Sequence, residues 1–188
     1  MGRYVGAGAS VLDFGCGTGF LSLAAGSLGA RVLALDLLPR QFELSYPTIE
    51  FQQADVIGLN EADWQFDLVL NCSTIEHVWL AGRYGAPDAA DGDLAAMRRL
   101  RRLLKSDGHM IITLPAGRDA VVGPLHRVYG PDRLPRLLEG YRVLESGFLR
   151  KTAENEWERC TCEDAMSELG NERYYAIGTM VLRPAATD

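Results

Sequence analysis

The strongest chemical signal in the sequence is a glycine-rich turn followed by two acidic residues at the ends of apolar runs. Residues 11–19, V-L-D-F-G-C-G-T-G, pass from an apolar run into three glycines. Glycine permits positive φ and lets a ligand approach the backbone closely. Asp36 ends the second apolar run, where a carboxylate can accept hydrogen bonds from both ribose hydroxyls of a nucleoside. Asp55 follows the third run, within reach of an adenine amine, so the pattern predicts a nucleoside site.

Short apolar runs alternate with helical stretches, which is typical of βαβ units around a mostly parallel sheet. The pattern predicts helices over residues 20–28, 93–105 and 131–139, and strands over residues 10–14, 31–35, 51–52, 66–71, 109–114, 141–150 and 174–183. The last two strands lack a helical crossover, so we expect them to pair antiparallel at one edge. Asp93 is expected to cap the second helix, and residues 152–173 are expected to form a lid or a small helix.

Composition restricts the class of protein. The 188 residues suffice for one domain with a sizeable core, and 23% charged and 47% hydrophobic residues are typical of a globular protein. A net charge of -6 argues against a nucleic-acid partner, although a local basic patch remains possible. No apolar run reaches the ~18 residues of a membrane helix. The four cysteines are few and irregularly spaced, which favours a reducing cytoplasm.

These motifs together resemble those of class I S-adenosylmethionine-dependent methyltransferases. The turn reads G-C-G-T-G instead of the G-x-G-x-x-G of dinucleotide dehydrogenases, and Asp13 precedes its first glycine by two residues. Further matches are L-A-L-D at 33–36, Q-A-D-V at 53–56, F-D-L-V at 66–69 and L-R-R-L-L-K-S-D-G-H-M-I-I-T at 100–113. The resemblance implies an α/β, Rossmann-like, doubly wound sheet of seven strands with an antiparallel edge hairpin. It also implies a single methyltransferase domain over residues 1–188, with a cofactor half at about 10–115 and acceptor or lid elements at about 72–92, 116–131 and 152–173.

The resemblance implies S-adenosylmethionine as the cofactor and suggests which residues hold it. The glycine turn would surround the methionine part, the acid after the second strand would hold the ribose, and residues after the third strand would contact the adenine. Asn71, at the end of the fourth strand, would line the methyl-transfer site. The implied cofactor-binding residues are Asp13, Gly15, Cys16, Gly17, Asp36, Leu37, Asp55, Val56 and Asn71. The sequence N-C-S-T that begins at Asn71 departs from the N/D-P-P-Y/F motif of many amine methyltransferases, which disfavours methylation of adenine or glutamine.

Glu76 and His77 follow the fourth strand, close to the expected sulfonium. Methyl transfer to a hydroxyl needs in-line geometry and often a base, and histidine titrates in the useful range. His77 is therefore the first candidate for the general base, and Glu76 and His126 complete the candidate catalytic set. The pattern also resembles ubiquinone-pathway O-methyltransferases and small-RNA 3′-terminal 2′-O-methyltransferases, in which Glu-x-x-Glu-His and a later His can hold a divalent metal. Ser73 occupies the first Glu position here, so a metal is an alternative that we do not favour.

Residues 83–94 and 126–131 resemble a bacterial group of methyltransferase-like proteins, some of them found among polysaccharide-biosynthesis functions. The resemblance implies that Arg83, Tyr84 and Tyr129 contact a polar acceptor, although packing of loops is a competing interpretation of the tyrosines. We therefore expect O-methylation of a small hydroxylated acceptor such as a sugar or glycan precursor. Two alternatives remain open: a metal-assisted RNA 2′-O-methyltransferase, and a non-catalytic cofactor-binding or partner subunit.

The segment before the first predicted strand is short. Family members usually have one or two helices there, whereas Ser10 already begins the strand in this sequence. The N-terminal helices are therefore predicted to be short or missing, either because the chain is truncated or because the pocket is open. An open pocket predicts weak cofactor binding or a homodimer that covers it.

Overall fold

The computed structural model describes residues 1–39, 46–169 and 176–186. Its helices are α1 (Phe20–Ser27), α2 (Gly92–Leu103), α3 (Arg133–Leu137) and α4 (Cys162–Ser167). Its strands are β1 (Ser10–Phe14), β2 (Arg31–Asp36), β3 (Ile49–Gln53), β4 (Phe66–Cys72), β5 (Leu104–Ala116), β6 (Ala120–Val122), β7 (His126–Val128), β8 (Tyr141–Lys151), β9 (Trp157–Cys160) and β10 (Ala176–Pro184). Single turns of 3-10 helix lie at Val56–Gly58 and Ile75–His77.

The central sheet has the strand order β3-β2-β1-β4-β5-β10-β8-β9, and β6 and β7 form a separate hairpin. Neighbours from β3 to β5 run parallel, whereas β10 runs antiparallel to both β5 and β8. This arrangement confirms the predicted α/β class and the antiparallel edge. The carboxyl ends of the parallel strands meet at one edge of the sheet, where open α/β sheets bind ligands.

The eighth strand of the sheet was not predicted. The sequence predicts a lid or a small helix over residues 152–173, and the structure shows β9 paired antiparallel to β8, followed by α4. Asn155 has a φ of 68° in the turn between the two strands, a conformation that asparagine tolerates well. Thr161 and Asp164 form a reciprocal capping box at the start of α4.

Helix α2 packs its apolar face on the sheet. Leu94, Met97, Leu100 and Leu103 are buried at helical spacing. The sequence pattern predicted Leu104 in place of Leu103 on this face, but Leu104 is the first residue of β5. The helix begins after Asp91 rather than Asp93, and it ends at Leu103 because the next residue already pairs with β4. Asp93 is fully buried in the first turn, so the prediction that it caps the helix is wrong.

Residues 1–9 form turns rather than a helix, as predicted, and Val5 packs in the apolar cluster on the α1 face of the sheet. None of the helices in the described parts of the chain combines the length and the apolar character needed to cross a bilayer.

Candidate functional site

A cavity of about 290 Å³ opens at the carboxyl ends of β1 to β4. Its volume lies at the lower end of the range for small-molecule sites, about 300–1,000 Å³. The residues that line it come from the glycine turn, the ends of β2 and β3, and the loop after β4. They are Phe14, Gly15, Gly17, Leu35, Asp36, Leu37, Leu38, Ala54, Asp55, Val56, Ser73, Thr74, His77, Val78, Trp79 and Tyr84.

The glycine turn that follows β1 forms one wall of the cavity. Gly15 and Gly17 have φ values of 71° and 49°, a region that disfavours other residues. A Cβ atom on Gly15 would clash with the side chain of Thr74, whereas one on Gly17 would meet no atom within 4 Å. The turn therefore needs glycine at position 15 for space as well as for backbone conformation, and at position 17 for conformation alone.

Three amide groups of this turn, those of Gly15, Cys16 and Gly17, are already hydrogen-bonded within the protein. The N–H groups of Gly15 and Cys16 donate to the carbonyl oxygen of Leu35 at 2.8 and 3.0 Å. The N–H of Gly17 donates to Asp36 Oδ2 at 2.9 Å. Phosphate-binding loops instead point unpaired amides at their ligand. The turn is thus built to bring the backbone close to a ligand without cradling a phosphate.

Asp36 is held at the end of β2 by two backbone contacts. Besides Gly17, the N–H of Leu38 donates to its Oδ1 at 2.9 Å. A carboxylate offers about four acceptor positions, so each oxygen keeps capacity for a further donor. Asp36 lines the cavity at the predicted place, and its fixed oxygens are suited to accept two hydroxyl groups of a ligand diol.

Asp55 lies on the opposite wall and is joined to an aromatic residue that the sequence interpretation missed. Its Oδ1 accepts the N–H of Ile57 at 2.9 Å, and its Oδ2 accepts Trp79 Nε1–H at 2.8 Å. Trp79 has a φ of 50° and lines the cavity, beside the predicted residues Leu37 and Val56. Its place depends on the strained loop after β4, and no local pattern in the sequence marks it.

Two predicted cofactor-binding residues lie behind the cavity wall, and this corrects the expectation of direct contact. Asp13 is 2% exposed and accepts the hydroxyl of Ser22 at 2.6 Å, and burial raises the pKa of its carboxyl to about 6. Cys16 is also buried, and burial together with the charges of Asp13 and Asp36 raises the pKa of its thiol to about 12. Both residues support the turn from inside rather than line the cavity.

Asn71 was predicted to line the transfer site, and the structure places it elsewhere. Its side chain is fully buried and its Nδ2 contacts Met97 Sδ at 3.8 Å, on the face of β4 that α2 covers. Side chains alternate between the two faces of a strand, so the residue that ends a strand points to only one of them. Ser73 and Thr74, which follow β4, line the cavity instead.

His77 lies in the cavity wall, and its Nδ1 contacts a backbone oxygen. Nδ1 lies 2.7 Å from the carbonyl oxygen of Leu125, which can only accept, so Nδ1 carries the proton. In the neutral ring Nε2 is then the proton acceptor. Nε2 lies 3.9 Å from Glu76 Oε1, too far for a hydrogen bond.

Glu76 is buried beneath this wall. It is 3% exposed, and its Oε2 has no hydrogen-bond partner among the residues that the structure describes. Burial raises the pKa of its carboxyl to about 8, so the group is protonated at neutral pH. Glu76 is next to His77 in sequence but does not line the cavity.

The remaining predicted residues are divided between the cavity and the core. Tyr84 lines the cavity and is 44% exposed. Tyr129 is fully buried and donates to Asp93 Oδ2 at 3.0 Å, which corrects the expectation that it contacts an acceptor. His126 lies on β7 and does not line the cavity. The side chain of Arg83 lies outside the described part of the chain.

The described residues hold no group of three or more His, Cys, Asp or Glu side chains arranged for a metal ion. In particular, Glu76, His77 and His126 are not gathered into such a site. The residues that the structure describes therefore do not fit a metal centre.

The charges around the cavity favour a particular kind of ligand. Asp36 and Asp55 contribute two carboxylates, and the described side chains in the wall include no lysine or arginine. Such a wall attracts a cation and disfavours a pyrophosphate. A nucleoside that carries a sulfonium group meets this requirement.

Comparison with known proteins agrees with this chemistry. A family model described as "Caenorhabditis protein of unknown function, DUF268" matches residues 48–184, and the model of ribosomal protein L11 methyltransferase matches residues 1–64. A probable S-adenosylmethionine-dependent methyltransferase of Mycobacterium tuberculosis is 28% identical over 149 residues, which are 74% of this chain and 48% of that protein. A ubiquinone biosynthesis O-methyltransferase of Cereibacter sphaeroides is 37% identical over 111 residues, which are 55% of this chain and 40% of that protein.

The chain thus spans about half the length, or less, of these two relatives. Among solved structures, the 1,6-didemethyltoxoflavin-N1-methyltransferase of Burkholderia thailandensis with bound 1,6-didemethyltoxoflavin and S-adenosylhomocysteine has a TM-score of 0.62 at 20% identity, covering 96% of this chain and 72% of that one. The homologues and this fold confirm the resemblance to class I S-adenosylmethionine-dependent methyltransferases.

Proposed function

Because the chain belongs to the family described as "Caenorhabditis protein of unknown function, DUF268" and is homologous to S-adenosylmethionine-dependent methyltransferases, we propose that it methylates a hydroxyl oxygen of a small acceptor, such as a sugar or glycan precursor. The observation that carries the donor assignment is the charge of the cavity wall. The wall has two carboxylates and, among its described residues, no cationic side chain, and the amides of Gly15, Cys16 and Gly17 are already hydrogen-bonded. These features suit a sulfonium nucleoside.

Residues of the wall divide between the parts of the donor. Asp36 would accept the ribose hydroxyls, and Leu37, Val56 and Trp79 would enclose the adenine, with Asp55 at its edge. Gly15 and Gly17 would leave room for the methionine part against the backbone. When bound, S-adenosylmethionine supplies an electrophilic methyl group on its sulfonium.

His77 is assigned as the general base because it lies in the same wall and presents a defined tautomer. A hydroxyl is a weak nucleophile, and removal of its proton lowers the barrier as the carbon–oxygen bond forms and the methyl carbon–sulfur bond breaks. With Nδ1–H bonded to Leu125, the neutral ring takes up that proton at Nε2 and becomes imidazolium. The ubiquinone biosynthesis O-methyltransferase among the relatives supports oxygen as the acceptor atom. Catalytic roles for Glu76 and His126 stay predictions.

The His77→Gln variant tests this proposal. Glutamine keeps a polar side chain but removes the base, so single-turnover transfer from labelled donor to hydroxylated acceptors is expected to fall about 10²–10⁴-fold. Affinity for S-adenosylhomocysteine, measured by calorimetry, is expected to stay within twofold, because the residue is assigned to proton transfer and not to donor binding. His109→Gln, outside the cavity, is the matched control. Undiminished turnover of His77→Gln would remove the base assignment, and transfer only to amines or to RNA would overturn the acceptor class.

A further inference from the structure

Two arginines face each other across the antiparallel edge of the sheet. Arg142 on β8 and Arg183 on β10 are direct partners in the strand register. Side chains of directly opposed residues lie on the same face, with Cβ atoms about 4.5–5.5 Å apart. Like charges in this position destabilise the sheet. A negative charge between the two guanidinium groups would compensate this repulsion.

Both arginines line a surface cavity of about 720 Å³, which we call the basic cavity. Arg101 and Arg102, from the last turn of α2, line it as well, and Glu61 is the carboxylate among its lining residues. Glu61 Oε1 is already shared by Arg99 and Arg102, each at 2.5 Å. Within the described parts of the chain, no salt bridge is formed by Arg101, Arg142 or Arg183.

Helix electrostatics explain only half of this cluster. Cations in the last turn of a helix are stabilised by its carbonyl groups, which accounts for Arg101 and Arg102. Arg142 and Arg183 lie on strands and gain nothing from that effect. The chain has a net charge of -6, so four arginines around one cavity are not a consequence of overall composition.

The basic cavity is separate from the cavity at the carboxyl ends of β1 to β4, which we call the donor cavity. Leu104, the first residue of β5, lines it together with Pro184, the last residue of β10. Both lie at the amino ends of the parallel strands, whereas the donor cavity lies at their carboxyl ends. No residue lines both cavities among those described.

We propose that the basic cavity binds a small anion that carries several phosphate groups, such as a polyphosphate or a pyrophosphate-bearing metabolite. Guanidinium groups bind phosphate oxygens through paired N–H donors, and an anion between Arg142 and Arg183 would relieve their repulsion. The concave shape favours a compact ligand over an extended nucleic acid. The inference does not rest on the proposed methyl transfer.

Titration of the intact chain with inorganic tripolyphosphate, followed by calorimetry, tests the proposal. Arg142→Ala and Arg183→Ala are each expected to weaken binding at least tenfold. Arg150→Ala is the control, because it removes the same charge from the same strand, where Arg150 pairs with Glu158 at 2.6 Å. Its affinity is expected to stay within twofold of the parent. Absence of binding, or equal losses in all three variants, would overturn the proposal.

A stability measurement gives a second readout. Without ligand, Arg142→Ala is expected to unfold at a higher temperature than the parent, because one member of the opposed pair is gone. Tripolyphosphate is expected to raise the parent's midpoint more than sodium chloride of equal ionic strength does, and to raise that of Arg142→Ala by less than it raises the parent's. A single-stranded oligonucleotide of the same charge as tripolyphosphate is the second ligand. Tighter, Arg142-dependent binding of the oligonucleotide would replace the small-anion proposal with a nucleic-acid one.

Discussion

Two buried carboxyl groups, Glu76 and Asp13, make the stability of this protein depend on pH. Burial raises the pKa of Glu76 to about 8 and that of Asp13 to about 6. In the unfolded chain both groups ionise near pH 4, so the folded state holds protons that the unfolded state has released. The contribution of this difference to the free energy of unfolding is largest at low pH, and it is lost as the pH rises through the folded pKa values.

The Glu76→Gln variant isolates the larger of these effects. Glutamine has the shape of the protonated side chain but does not ionise, so the variant escapes the loss that the parent suffers between about pH 4.5 and 8. At pH 8.5 the variant is expected to exceed the parent in free energy of unfolding by at least about 1.4 kcal/mol, the equivalent of one pKa unit. At pH 4.5 the two should agree, and urea unfolding at both values measures the difference. Glu50→Gln, at an exposed site, is the control, and a constant gap at both pH values would contradict the ionisation argument.

The sequence predicts the location of a residue best where that location is set by neighbouring residues in the chain. Asp36 and the glycines follow directly from strand ends, so their location is set by a turn of a few residues. Asn71 and Tyr129 were misplaced because their side chains are buried against Met97 and Asp93 of α2, and this packing leaves no local signal in the sequence. Trp79 was missed because its position depends on a loop conformation without a local signature.

At the scale of elements, the site is a contact between the glycine turn and the loop after β4. Ser73, Trp79 and Tyr84 in this loop all have positive φ, between 50° and 58°. Non-glycine residues in that region cost roughly 1–3 kcal/mol each, and such strain is often found at functional sites. Arg127, which is 2% exposed, donates to the carbonyl oxygens of Val78 and Ala89 at 2.7 and 3.0 Å and helps to hold the loop in place.

Alanine substitutions at Gly15 and Gly17 distinguish the steric requirement for glycine from the requirement of the backbone conformation. Gly17→Ala is expected to cost about 1–2 kcal/mol, the usual penalty for positive φ, because its methyl group meets no neighbour. Gly15→Ala should cost at least twice as much in urea unfolding, because its methyl group clashes with Thr74. Adding Thr74→Ala should recover part of that loss. Equal costs for the two glycine variants would show that the clash is relieved by movement of the loop.

The element pattern was predicted best where local periodicity is strong. The apolar stripe of α2 and the short runs of β1, β2 and β4 gave bounds within two residues of the structure. Strand β9 was missed because W-E-R-C is polar and exposed on average, and only pairing with β8 makes it a strand. That pairing is a tertiary contact and leaves no period in the sequence.

At the scale of the whole molecule, charge is distributed unevenly. The chain carries a net charge of -6, the donor cavity has two carboxylates, and the basic cavity gathers four arginines at the other edge of the sheet. A cationic ligand is therefore attracted to the carboxyl edge, and an anionic one to the amino edge.

Salt dependence of donor binding tests this distribution. S-adenosylmethionine carries one positive charge more than S-adenosylhomocysteine, so its affinity should fall more when sodium chloride is raised from about 0.05 to 0.5 M, where screening becomes strong. We expect a loss of severalfold for the former and less than twofold for the latter, both by calorimetry. NAD, with a pyrophosphate, is the comparison ligand and is not expected to compete. Identical salt dependence of the two nucleosides, or competition by NAD, would contradict the electrostatic assignment.

The contact between His77 Nδ1 and the Leu125 carbonyl links the donor cavity to the hairpin of β6 and β7, 48 residues further along the chain. That backbone oxygen decides which ring nitrogen can take up a proton, although no side chain of the hairpin enters the cavity. An insertion or deletion in the hairpin that moves this oxygen would therefore change which nitrogen of His77 carries the proton, while every cavity residue stayed the same.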